Sequence, residues 1–192
     1  EDGWIDFATR ISMIGARAQR QPGREFRAIV SMPAQIGTRA FDGSIPIVAE
    51  VLREANAMPV WMLSRTQESL RALSYRIRNL RERYEVGVIV KNLFFGAAEK
   101  FLLWEMDPLR LELVEGGGWS ETRLPELNDQ ITVLVGRRPF HEVLANGIDG
   151  RALDLGVRLA LQSWLNRTSA SFATAVTSMK PEYESAGDEA QA

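Results

Sequence analysis

The sequence predicts an α/β fold: a mainly parallel sheet flanked by helices, with a C-terminal amphipathic helix. Three observations predict it. Short apolar runs rich in β-branched residues recur at residues 26–32, 59–63 and 86–90. Segments with apolar residues at three- and four-residue spacing separate them. The third run is apolar almost throughout, as suits a strand buried on both faces of a parallel sheet. Strands alternating with helices argue for a doubly wound layer with right-handed crossovers.

Each element has its own signal. Trp4, Phe7, Ile11 and Ile14 share one face of a helix over 4–20, which Pro22 and Gly23 stop. The first strand, 26–32, ends at Pro33, which cannot donate to a ladder. Ser44 is placed to cap a helix that carries Pro46 in its first turn and runs through Leu52. A second strand covers 58–64. Thr66 opens a longer helix with Leu70, Leu73, Ile77 and Leu80 on one face. A third strand covers 86–91. Helical stretches follow at 100–105 and 108–114, then a glycine run and a fourth strand near 120–124. Residues 151–176 read as one helix whose buried side is Leu155, Leu159, Trp164, Leu165 and Phe172. One domain over 1–180 is expected, with a polar, disordered tail over 181–192.

Composition narrows the chemistry. The 192 residues include no cysteine and one histidine, His141. Disulfides, thiolate metal sites and histidine-rich metal sites are thereby excluded. No apolar run approaches the ~20 residues that span a bilayer, and no signal-peptide pattern opens the chain. A cytoplasmic protein is the expectation. The formal net charge of -2 implies no polyanion partner by itself. Arg65, Arg71, Arg76, Arg78, Arg81 and Arg83 read as a solvated helix face. His141, Asp149 and Asp154 read as helix-start residues, the acids favoured there by the helix dipole.

Ligands of open parallel sheets bind beyond the carboxyl ends of the strands. That rule selects the loops 31–37, 64–67, 91–96 and 125–128. Asn92 ends the most buried strand, and its amide has both a donor and an acceptor for a purine edge. Lys91 is then placed to flank the ring or approach a phosphate. The plainer alternative is a turn-capping Asn92 beside a solvated Lys91. In the first loop, Gln35 could orient water, while Ser31 lacks the carboxylate of an outer-shell metal partner. The chain has no G-x-x-x-x-G-K followed by Ser or Thr, and no variant with an early lysine.

The stretch AIVSMPAQIG resembles the VVDLPAQ strand exit of ParA/MinD-like ATPases of plasmids and conjugative elements. VGVIVKNLFFG with EKFLLWE resembles their later strand and loop, and TRLPEL their LPxL segment. RPFHEVLAN and VRLALQSWL resemble their closing helices, so the likeness covers most of 26–170. The resemblance implies a P-loop NTPase-like fold that binds ATP with Mg²⁺ and switches by dimerising. It implies that Asn92 and Pro125 lie by the adenine, and that the exit from Ser31 to Gln35 senses the γ-phosphate. Two features depart from the pattern. Ser31 stands where the family has Asp, and the family's phosphate loop would precede Trp4. The chain as given is therefore expected not to hydrolyse ATP. The function implied is a nucleotide-dependent switch in plasmid partition or conjugative-element maintenance. The partner would be a second copy or another protein, with any role of DNA indirect. The alternative is a non-catalytic, degenerate ATPase-fold scaffold that binds a protein. A third possibility is an unrelated flavodoxin-like or Rossmann-like binding domain.

Overall fold

The computed structural model describes residues 9–13, 16, 50, 57–80, 86–116 and 118–177. The chain divides into two compact units, one of Glu1–Pro59 with Tyr75–Glu85, the other of Val60–Ser74 with Val86–Ala192. In the first, residues 9–13 are helical and Ile11 is buried, within the helix expected over 4–20. The expected strand over 26–32, most of the helix after Ser44 and the tail over 181–192 lie outside the described residues.

The second unit holds a three-stranded sheet of β1 (Val60–Leu63), β2 (Val86–Asn92) and β3 (Gly118–Leu124), in that spatial order. Both pairings are parallel, so each strand must be reached by a crossover. These three strands lie within two residues of their expected positions at 58–64, 86–91 and near 120–124. Between β1 and β2 runs α1 (Gln67–Leu80). Thr66 caps it by accepting the Ser69 N–H at 3.3 Å, and Leu70, Leu73 and Ile77 are its buried side.

The crossover from β2 to β3 is a chain of short turns. One-turn 3-10 helices at Leu93–Phe95 and Ala98–Lys100 lead into α2 (Leu102–Glu105) and α3 (Pro108–Arg110). A π turn at Leu111–Glu115 closes it with Gly116 N–H donating to Leu111 O. Asp107 caps α3 through the Leu109 N–H at 2.9 Å, with Pro108 at the first helical position.

After β3 come α4 (Asp129–Val135), α5 (Phe140–Asn146) and the long α6 (Leu155–Thr177). Ile131, Val135, Val143, Leu161 and Trp164 make one core where these helices meet. A second core joins Val88 and Val90 of β2 to Ala175, with Phe172 and Leu124 packed on it. Side chains alternate along a strand, so the even-numbered face of β2 and β3 belongs to α6. Ser120 and Thr122 strengthen that docking by donating to the Ala175 and Ser171 carbonyls. The odd-numbered face carries Ile89, Trp119 and Glu121 toward the crossover turns.

Two expectations need correction. Leu155 and Leu159 are not on the buried side of α6; they are 60% and 59% exposed. The helix begins at Leu155, after Asp154 caps Gly156 N–H at 2.8 Å. Its buried stripe runs through Val157, Leu161, Trp164, Leu165, Phe172 and Ala175, roughly half a turn from those two leucines at ~100° per residue. Asp149 is not a helix-start acid. It sits in a turn at φ 50°, where Asp is tolerated, and pairs with Arg138 at 2.8 Å. Asp154 does take its expected place.

Candidate functional site

The carboxyl ends of β2 and β3 lie side by side. Asn92 is paired in register with Leu124, the residue before Pro125. The two strand ends expected to flank a ligand are therefore neighbours. Asn92 Oδ1 accepts the Phe94 N–H at 3.1 Å, which turns the chain into the first 3-10 turn. The turn-capping role is thus real, and among the described residues the Nδ2 donor is left uncommitted. Gly96 follows at φ 129°, a conformation that side chains rarely adopt. The nearest atoms to a Cβ built there belong to Lys100 and Arg65.

Pro125 is fixed from behind. Its carbonyl accepts the Trp164 Nε1–H at 2.8 Å, and Trp164 meets Phe140 edge-on at 5.2 Å. Replacing Trp164 with phenylalanine keeps a ring but strands that carbonyl. We expect a loss of about 1–2 kcal/mol, read as a melting temperature lower by roughly 2–8 °C. An unchanged melting temperature would show that water replaces the indole without cost.

Lys91 does not stand free beside this loop. Its Nζ lies 2.7 Å from Glu105 Oε1 and 2.6 Å from Glu121 Oε1, and its side chain is only 12% exposed. Glu121 also accepts from Trp104 Nε1 at 2.7 Å and from Arg110 Nε at 3.2 Å. Arg110 reaches Glu105 at 3.3 Å and Glu115 at 3.1 Å as well. Two cations and three carboxylates thus form one network between the sheet and its crossover. Burial works against the Lys91 charge, but the hydrogen bonds and charges of Glu105 and Glu121 outweigh it and hold the ammonium above its usual range. Burial likewise pushes the Glu121 carboxyl up, yet Lys91, Trp104 and Arg110 hold it below the ordinary carboxylate value.

The expected site residues thus divide. Asn92 and Pro125 are brought together. Lys91 is adjacent in the chain but is turned into the network. Ser31 and Gln35 lie outside the described residues. Pattern reading missed Glu105, Glu121 and Arg110. Their only signal was opposite charge in segments that a parallel sheet would join, and the register selecting the partners is not local. It also missed Phe94 and Phe95, two exposed rings 5.4 Å apart. His141 is 83% exposed and 4.0 Å from Glu142, as suits a surface residue. Among the described residues no acid or histidine group could hold a metal ion, and no helix is long and apolar enough to cross a membrane. Comparison with protein-family models, curated proteins and solved structures finds no match to this chain.

Proposed function

We propose that this chain is a ParA/MinD-like, nucleotide-dependent switch protein serving plasmid partition or conjugative-element maintenance. Its purine would lie between Asn92 and the wall at Pro125. The observation that carries the reading is the register of Asn92 on Leu124 at the carboxyl end of an all-parallel sheet, where open α/β sheets bind ligands. Asn92 Nδ2 donates to a ring acceptor, while the rigid proline gives the base a flat flank. ATP with Mg²⁺ is the proposed cofactor, a second copy the proposed partner, and the cytoplasm the proposed location.

The test is the affinity of the full-length protein for MgATP before and after Asn92→Ala. Loss of one neutral hydrogen bond is expected to weaken binding roughly three- to tenfold. Equal affinity in two equally stable proteins would remove the base site.

A second reading, a degenerate ATPase-fold scaffold that binds a protein, is favoured by one observation. Leu102 and Leu103 of α2 and Met106 just after it are exposed, with Phe94 and Phe95 exposed nearby in the chain. Ser31 in place of Asp points the same way. On that reading the full-length protein shows no nucleotide affinity, and Asn92→Ala changes nothing.

A further inference from the structure

The network at Lys91 has a topological consequence. Lys91 is the penultimate residue of β2, and Glu105 ends α2, partway along the crossover to β3. The bond between them joins the two ends of the segment that contains Asn92, Phe94 and Gly96. Glu121, on the neighbouring strand, ties the same ammonium to β3. The segment is thus clipped at its base, and the clip is fastened to the strand that leads to Pro125.

We infer that Lys91 is a positioning residue for the base site, its ammonium clamped by Glu105 and Glu121 so that Asn92 is held at the strand end beside Leu124 and Pro125. This inference rests on the reading of Asn92 and Pro125 as a base site. Strand alternation supplies the link. Consecutive side chains point to opposite faces, so pinning Lys91 on the crossover face sets the rotation of Asn92 beside it. The bond from Phe94 N–H to Asn92 Oδ1 then fixes which amide atom is left for the ligand. With both carboxylates accepting hydrogen bonds from its ammonium in short contacts, Lys91 leaves charge recognition to other cations. Arg65 and Lys100 are exposed and lie close to Gly96 in the loop.

The roles separate by ligand. A lysine that touched phosphate would matter equally for ATP and for inorganic tripolyphosphate. A lysine that positions Asn92 matters only when a base is present. The experiment titrates the full-length protein with each ligand, in Mg²⁺, for wild type, Lys91→Met, Lys91→Arg, Asn92→Ala and the Lys91→Met, Asn92→Ala double variant. Lys91→Met is expected to weaken ATP roughly three- to tenfold, as Asn92→Ala does. It should leave tripolyphosphate unchanged and add nothing in the double variant. Lys91→Arg should recover most of the loss, because a guanidinium can still bridge two carboxylates.

Equal losses on both ligands would overturn the inference, as would additive losses in the double variant. If Asn92→Ala weakens ATP and Lys91→Met does not, the positioning role falls and the base site stands. If Asn92→Ala has no effect, the base site falls and the inference with it. Should Lys91→Met not fold, Glu105→Gln opens the clip while leaving Glu121 on the ammonium, and it is read by the same comparison.

Discussion

Replacing Glu121 with alanine is expected to lower stability by at most about 3–5 kcal/mol, the cost of removing one partner from a fully buried ion pair, because Glu121 and its cationic partners are only partly buried. The geometry says why this residue should carry the largest effect. Its carboxylate receives three donors: Lys91, Arg110 and the Trp104 indole. Trp104 is 2% exposed, so its N–H would be left without a partner in a dry site. Lys91 would keep Glu105, and Arg110 would keep Glu105 and Glu115, which puts the expected loss toward the lower end. At this chain length, that loss lowers the melting temperature by roughly 6–12 °C. A melting temperature within a degree of wild type would show that the network contributes little to stability.

The same network sets a pH window. Folding holds the Glu121 carboxyl below its ordinary value of 4.5, so the unfolded chain binds more protons in acid. Its contribution is present above that value and is lost as pH falls through the lower folded one. Folding holds the Lys91 ammonium above its ordinary value of 10.5. That contribution is present below 10.5 and is lost as pH rises through the higher folded value. Thermal melts should therefore show a plateau from roughly pH 5 to pH 10. Glu121→Gln should flatten the acid limb and also weaken the alkaline one, because Lys91 loses one of its two carboxylates. An acid limb unchanged in Glu121→Gln would assign it to other groups.

Much of this fold was legible because its signals are local. The 3.6-residue spacing of Leu70, Leu73 and Ile77 and the Thr66 cap fix α1 without tertiary information. The unbroken apolar run before Lys91 marks a strand covered on both faces, and the contacts on Val88 and Val90 supply one of those covers. The failures are non-local. On α6 several apolar stripes are available, and the choice between Leu155 and Leu161 is made by where β3, α4 and α5 present their own apolar faces. Lys91 reads as a solvated loop residue because its partners lie 14 positions away at Glu105 and on another strand at Glu121. Asn92 allowed two readings at once. The turn-capping one is a matter of neighbouring atoms, whereas the base-reading one depends on which strand end lies alongside.

Gly87→Val should be the second severe change, at about 3 kcal/mol. Gly87 is paired in register with Trp119, whose ring lies across it. A Cβ at position 87 would stand 2.6 Å from two atoms of that ring, closer than carbon atoms can approach. Trp119 is 5% exposed, so the indole cannot swing into water without uncovering its apolar face. Two effects oppose the clash. Replacing glycine removes about 0.5–1 kcal/mol of backbone entropy cost, and valine is well suited to a strand, on a scale spanning ~1 kcal/mol. Overpacking a buried site costs about 1–3 kcal/mol and occasionally more. For alanine the terms nearly balance, and a net loss of about 1 kcal/mol follows. For valine two further methyl groups meet the ring, and the clash dominates. The double variant Gly87→Ala, Trp119→Leu separates the causes. If the ring is the obstacle, alanine costs less in the leucine background than in the wild type, with a coupling of about 0.5–3 kcal/mol. Strictly additive losses in denaturant melts would mean that Gly87 is required for its backbone and not for the tryptophan laid across it.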